Sequence, residues 1–298
     1  MPPSNNALLL RALAVQADDL SCAVSKNEFP VLLQPLAVRR RVSSVEFSPL
    51  LVDAMLTTHP AGFRILFNSN GGEPSELNKQ FASETKDRTL PPRLRFSLAH
   101  EIAHTLFYDL GEGSPAVGKK FRSGGGRTAL EHLERSCNKL AAHLLLPTPM
   151  LAKSIRELKS YKPESFLELA RKAGVSIEVL VRRLSDQSTL LGGRYFRGCI
   201  VLVKQRGGET FINAIAKPSN LGIARDLRLM KAGERWQLTN GNGEATHPES
   251  LPPASIEELL METAHGTKST APYKIAVAKA GNFNDEKSFL LVFEQIEA

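Results

Sequence analysis

The feature that most constrains this chain is His100-Glu101-Ile102-Ala103-His104, a His-Glu-x-x-His pattern set in an apolar-periodic stretch running from Arg93 to Asp109. On a helix, residues four apart stand one above the other on the same face. His100 and His104 are therefore placed to offer two imidazoles to a single Zn²⁺ at about 2.0–2.1 Å. Glu101 lies about 100° round the helix from His100. From there its carboxylate reaches the attacking water rather than the metal, which is the position of a general base for peptide hydrolysis.

The helix itself is well signalled. Pro91-Pro92 suits a start, because the proline lacks only an N–H that has no partner in the first turn. Leu94, Leu98, Ile102 and Leu106 form an i, i+4 stripe, and Ala99 and Ala103 widen it. Gly111 and Gly113 follow as stop signals. Most of such a helix is buried, so its two histidines and glutamate must find partners inside the protein, and one metal ion supplies them.

At 298 residues the chain is long enough for two or three domains. Three cysteines, Cys22, Cys137 and Cys199, are odd in number and far apart, which speaks against a disulfide framework and for a reducing cytosol. The longest apolar run near the start, Leu8 to Val15, is broken by Arg11 and followed by Asp18-Asp19, so it reads as neither signal peptide nor membrane span. A net charge of +7 permits nucleic-acid contact without requiring it. Basic residues gather at Arg39–Arg41, Lys119-Lys120-Phe121-Arg122, Arg171-Lys172 and Arg182-Arg183, each read first as a solvated face.

Leu8 to Val24 has helical spacing in Leu9, Leu13, Ala17, Leu20 and Val24. Ser48 to Thr57, with Pro49 just inside its start, is expected as a helix. Phe63, Ile65 and Phe67 alternate, marking 62–68 as a strand that borders the cleft and offers an edge to substrate. The polar stretch 68–88 is expected as a loop. Residues 111–127 hold six glycines with Lys119, Lys120 and Arg122, the composition of a mobile flap. No Gly-Lys-Ser/Thr follows, which disfavours a phosphate-cradling loop.

A second helix is expected over 128–146, with Leu130, Leu133, Cys137, Leu140, Ala141 and Leu144 on its buried face and Glu134 and Asn138 sharing another. A site with two histidines needs a third protein ligand and an open fourth position. Glu134 fits a His₂Glu set. Glu131, about 60° round the same helix, competes, and Asp109, His132 and His143 are weaker competitors. Cys137 reads as a buried core thiol rather than a ligand. Tyr108 reads as packing against the cleft wall rather than as an oxyanion donor.

Together, Arg95-Phe-Ser-Leu-Ala-His100-Glu101-Ile-Ala-His104 and Glu134-Arg-Ser-Cys137-Asn138-Lys-Leu-Ala141-Ala142-His-Leu-Leu145-Leu-Pro147 resemble the two motifs of the IrrE/ImmA family of bacterial metallopeptidases. The resemblance covers about residues 45–185. It implies that Glu134, not Glu131, completes a metal site with His100 and His104. It also implies a cytoplasmic Zn²⁺-dependent endopeptidase whose substrate is a helix-turn-helix repressor, cleaved to release stress, DNA-damage or phage-defence genes. A DNA-binding regulator with a vestigial peptidase domain is the rival reading.

Residues 165–184 follow helix-turn-helix grammar, with a tight turn at Ala173-Gly174-Val175 and Ser176 as N-cap. Glu178 opposes phosphate, so a structural or substrate-docking role is expected over DNA reading. From Tyr195 onward, hairpins at 199–215 and 273–293 and helices at 221–230 and 255–264 are expected. Arg225, Arg228, Lys231 and Trp236 suit single-stranded DNA as an activator, a structural or dimerisation domain is the equal alternative, and His247 and His265 stand alone. The expected fold class is α+β: an α-rich zincin-like metallopeptidase domain (1–150), a helix-turn-helix-like helical unit (151–190) and a small α+β sensor-like domain (191–298).

Overall fold

The computed structural model describes residues 5–51, 53–59, 62–69, 73–86, 89–108, 127–186, 198–206, 209–216, 235–236, 273–283 and 286–295. Among them are eight helices and two sheets, a mixed α+β architecture. No described helix is long and apolar enough to cross a membrane. The chain divides into two compact units, Met1–Lys153 with Arg171–Ser176, and Ser154–Ala170 with Ile177–Ala298.

The first unit is built on a three-stranded sheet. Strand β1 (Val42–Ser48) pairs parallel with β3 (Gly62–Asn68), and β2 (Ala54–His59) pairs antiparallel with β3, giving the order β1-β3-β2. The alternation expected of β3 holds: Phe63, Ile65 and Phe67 are fully buried. Its place does not. With β1 on one side and β2 on the other, β3 is central and has no edge to offer, so the edge strands are β1 and β2. The expected helix over 48–57 is also overturned. Ser48 ends β1 and the following residues return as β2, because Leu56, Thr57 and Thr58 find ladder partners in Ile65, Arg64 and Phe63. Gly62 makes the turn into β3 possible: at φ +139° it passes so close to Arg41 that an added Cβ would stand 2.1 Å from the Arg41 carbonyl oxygen.

Helix α1 (Asn5–Ser25) agrees with the expected N-terminal helix, and α2 (Leu33–Arg39) follows it. Helix α3 (Pro74–Ala82) falls where a loop is expected. It starts on Pro74, carries an i, i+3 pair between Glu76 and Lys79, and buries only Phe81, so its helical pattern is faint in sequence. Helix α4 (Pro92–Thr105) bears the His-Glu-x-x-His motif and α5 (Arg127–Leu145) follows it in the chain. The two pack together, with α1 against α5 and with β2 and β3 against α4. Leu98, Ile102 and Leu106 meet a core shared with Cys137, Leu140, Ala141 and Leu144, all fully buried. Leu130, expected on that face, is exposed instead, about two turns before the buried stripe begins at Cys137.

A buried ion pair ties the start of α4 to its surroundings. Arg95 meets the Glu84 carboxylate through Nη1, donates from Nε to the Gly174 carbonyl at 3.0 Å and from Nη2 to the Val31 carbonyl at 2.6 Å. Glu84 in turn accepts the backbone N–H groups of Leu33 at 2.7 Å and Gln34 at 3.4 Å. Burial raises the Glu84 carboxyl and lowers the Arg95 guanidinium from their ordinary values, against their mutual attraction.

Helices α6 (Thr148–Glu157), α7 (Pro163–Ala173) and α8 (Ile177–Asp186) complete the helical set. α6 begins at once after the break at Pro147 and has no expected counterpart. α7 and α8 are two successive helices across 165–184, with Gly174 between them at φ +65°.

In the second unit, β4 (Gly198–Arg206), β5 (Glu209–Ala216), β6 (Arg235–Trp236), β7 (Tyr273–Phe283) and β8 (Glu286–Gln295) form an antiparallel sheet of order β6-β5-β4-β8-β7. Both expected hairpins are present. Central β4 is buried continuously from Cys199 to Val203, the pattern of a strand covered on both faces. α8 packs on β5 and β4. Its Glu178 carboxylate meets Lys204 Nζ at 3.3 Å and Arg182 at 3.0 Å, and Arg182 also donates to the Asn213 carbonyl at 3.2 Å. Arg183 is wholly buried, so the Arg182-Arg183 cluster is not a solvated face. All of the expected flap (111–127) except Arg127, which starts α5, lies outside the described residues, as do the helices at 221–230 and 255–264, Asp109, Tyr195, Arg225, Arg228, Lys231, His247 and His265.

Candidate metal centre

Every side chain of the candidate centre comes from α4 or α5, in the first unit. Because α4 presents His100 and His104 on one face and α5 packs along it, the two imidazoles meet the Glu134 carboxylate. His100 Nε2 lies 3.0 Å from Glu134 Oε2 and 3.1 Å from His104 Nε2, and His104 Nε2 lies 3.6 Å from Glu134 Oε1. The rings stand at 74° with centroids 4.8 Å apart, so their Nε2 atoms converge instead of stacking.

The other ring nitrogens point away from this convergence and are engaged by α5. His100 Nδ1 is 2.9 Å from Asn138 Oδ1, and His104 Nδ1 is 3.3 Å from Cys137 Sγ. Cys137 and Asn138 are three and four residues past Glu134, so one helical turn delivers all three groups to the same pair of rings. Burial, reinforced by the charges of Glu134 and Glu101, drives the Cys137 thiol far above its ordinary pKa. It stays a neutral thiol, in keeping with its expected place in the core.

Glu101 is nearly buried, at 8% exposure. Its carboxylate accepts a hydrogen bond from the backbone N–H of Leu56 on β2. Burial raises its pKa, the Glu134 charge adds to the rise, and His100 and the Leu56 N–H work against it. The net result is a carboxylate more basic than one in water. His100, Glu101 and His104 bring potential ligand atoms within 4.8 Å of one another. Geometry nevertheless separates the two glutamates: Glu134 points its oxygens at both Nε2 atoms, whereas Glu101 is held toward β2.

The competing residues lie elsewhere. Glu131 pairs with Arg135 at 3.9 Å on the exposed side of α5, and His143 Nδ1 meets Asp18 Oδ1 at 2.9 Å between α5 and α1. His132 is exposed. Tyr108 packs edge-on against Phe63, with centroids 5.1 Å apart, as expected of a wall residue.

The structure also places three groups in contacts that sequence alone does not foresee. The Leu56 N–H is a backbone atom and leaves no mark on the residue pattern. Cys137 is visible only as a core position. Arg40 sits in a basic cluster that reads as a solvated face, yet it is buried and donates from Nε to Thr105 Oγ1 at 3.0 Å and from Nη2 to the Thr105 carbonyl at 2.6 Å. Burial, with the neighbouring charge of Arg41, lowers its pKa to about 10, so it remains a cation at neutral pH. It caps the C-terminal end of α4 one residue beyond His104, where a positive charge also complements the helix dipole.

Among solved structures, the chain is similar to a Mycobacterium tuberculosis transcriptional regulator at 13% sequence identity and a TM-score of 0.42, over 95% of this chain and 75% of the other. No curated protein matches it. Residues 86–185 match the IrrE N-terminal-like domain of the Peptidase_M78 family, so the segment that carries α4, α5 and every side chain of the candidate centre is of the IrrE/ImmA-like kind.

Proposed function

We propose that the chain is a zinc-dependent endopeptidase in which His100, His104 and Glu134 hold Zn²⁺ and Glu101 is the general base. One observation carries this reading: two imidazole Nε2 atoms and two carboxylate oxygens converge at 3.0–3.6 Å while the Nδ1 atoms are engaged from outside. With Nδ1–H groups donating to Asn138 and Cys137, four lone-pair-bearing atoms face one another, an arrangement that a cation stabilises. Zinc arms of about 2.0–2.1 Å at tetrahedral angles separate ligand atoms by about 3.3 Å, within the observed spread.

When bound, zinc supplies Lewis acidity, lowering the pKa of water towards about 7 and polarising the scissile carbonyl. Glu101 takes the proton of the attacking water and returns it to the leaving amine. Its raised pKa suits both halves of that task, and the Leu56 N–H fixes its orientation. β2 replaces β3 as the substrate-bordering strand. Leu56 N–H points outward to Glu101, so by the alternation of an antiparallel ladder the N–H groups of Ala54 and Thr58 point the same way. Among the described residues no strand pairs with that edge. One extended segment of a partner protein is therefore the substrate form it accepts.

Following the family resemblance, the substrate is a helix-turn-helix repressor, cleaved to derepress stress, DNA-damage or phage-defence genes in the cytoplasm. The rival, a DNA-binding regulator with a vestigial peptidase domain, accounts for neither the held Glu101 nor α8. Its Arg182 and Glu178 are engaged by the sheet and its Arg183 is buried. The test is incubation of the purified chain and Glu101→Gln with the small helix-turn-helix repressor encoded nearest its gene. Discrete fragments from the wild type and none from the variant are expected. No cleavage by either, or equal cleavage by both, overturns the proposal.

We further propose that the C-terminal domain (191–298) controls the activity, with single-stranded DNA as the activating ligand. An activator working at typical allosteric strength shifts the active state by about 1–3 kcal/mol. Cleavage by the full chain, with and without single-stranded DNA at low salt, checks this. Equal rates remove the sensing role and leave the domain structural.

A further inference from the structure

Each imidazole of the centre is steered from behind by a different kind of group, and that asymmetry has consequences for the metal. Asn138 Oδ1 stands 2.9 Å from His100 Nδ1, within ordinary hydrogen-bond range. Cys137 Sγ stands 3.3 Å from His104 Nδ1 and is wholly buried, so no water competes for that nitrogen at the sulfur. An amide oxygen is a good acceptor and a thiol sulfur a weak one. Both contacts act on the same question, which ring nitrogen carries the proton, and an imidazole ligates a metal only through the nitrogen without one.

We infer that Asn138 and Cys137 are positioning residues, each accepting the Nδ1–H of one histidine so that both Nε2 lone pairs face Glu134, and that His104, backed by the weaker acceptor, is the less firmly held ligand. The inference rests on the zinc reading for its consequences but not for its geometry. It accounts for the direction in which both rings turn, each with Nδ1 toward α5 partners and Nε2 toward Glu134. It also assigns a task to α5 beyond supplying Glu134: three functional positions, 134, 137 and 138, fall within about one turn and engage both rings.

The amide of Asn138 has two orientations, and only the one with Oδ1 toward His100 accepts its hydrogen bond. Asn138→Asp distinguishes them, since a carboxylate only accepts. Nitrogen-15 spectroscopy of the imidazoles in the metal-free full chain reads the proton position directly. Nδ1 of both histidines is expected protonated in the wild type and in Asn138→Asp. In Asn138→Ala the His100 proton is expected to spread to Nε2, and in Cys137→Ala the His104 proton does so.

Zinc affinity by chelator competition is the second readout. Asn138→Ala is expected to weaken binding about 10–100-fold, Asn138→Asp to keep or tighten it, and Cys137→Ala to weaken it by less than about tenfold. Unchanged Nδ1 protonation in both alanine variants overturns the inference, as does loss of Nδ1–H in Asn138→Asp. A wild type that binds no zinc yet shows the expected proton positions sinks the zinc reading and upholds the positioning. A wild type that binds zinc with the same affinity as Asn138→Ala does the reverse.

Discussion

Arg95 is the side chain whose loss should cost the metal helix most. It is fully buried at the end of the first turn of α4, five residues before His100, and its guanidinium meets Glu84, Gly174 and Val31 at once. Arg95→Met keeps much of the aliphatic volume and removes only the polar head. Glu84 then stays buried with the Leu33 and Gln34 N–H groups but no cation, and the Gly174 and Val31 carbonyls lose their donor. Breaking a buried pair by removing one partner costs about 3–5 kcal/mol, most of it the stranded charge. Neutralising that charge as well, in Arg95→Met/Glu84→Gln, should recover a good part of it.

Native-state hydrogen exchange of α4 amides reads this change directly. Their protection should fall about 10²–10⁴-fold in Arg95→Met, the equivalent of that free energy. Protection within about fivefold of wild type in the single variant, or a double variant worse than the single, would refute the stranded-charge argument.

Three further outcomes are expected. Arg40→Met, which uncaps α4 beside His104, should destabilise the first unit by about 1.5–3 kcal/mol, the range for hydrogen bonds to a charged group, as read by the urea midpoint in circular dichroism. Thr58→Pro removes an outward N–H from the β2 edge and should slow repressor cleavage while leaving zinc content and melting temperature unchanged. Unaltered cleavage would remove β2 as the docking edge. For Glu178, burial alone would raise the carboxyl, but Asn213, Lys204 and Arg182 outweigh it and hold its pKa below the ordinary value. A carboxylate depressed in the folded state stabilises above its unfolded pKa, about 4.3, and loses that contribution as pH falls through the folded value. Resistance of the second unit to urea, followed by the amide signals of β4, should therefore weaken below about pH 4.3 in the wild type, and less in Glu178→Gln.

What the sequence reveals and conceals here follows from how many residues each element commits to the core. α4 and α5 repeat apolar residues at helical spacing, and the motif histidines fall on the face those repeats leave open. β3 shows its alternation for the same reason, since every second residue is buried. β2 does not, because Ser48-Pro49 imitates a helix start and its strand character comes from pairing with β3, a partner that no local pattern names. α3 buries a single aromatic and so resembles a polar loop. Arg40 and Arg183 look like surface charge because charge says nothing about burial until the partner is known. Glu134 and Asn138 share a face by spacing alone, but that the face meets His100 is a fact of packing. Leu56 acts through its backbone, so its residue type carries no signal.

The most direct test of the account is elemental analysis of the purified chain beside Glu101→Gln, Glu134→Gln and the His100→Ala/His104→Ala double variant. The account predicts about one zinc per chain in the wild type and in Glu101→Gln, a marked loss in Glu134→Gln, and none in the double variant, all four retaining the fold by circular dichroism. Undiminished zinc in the folded double variant would contradict it.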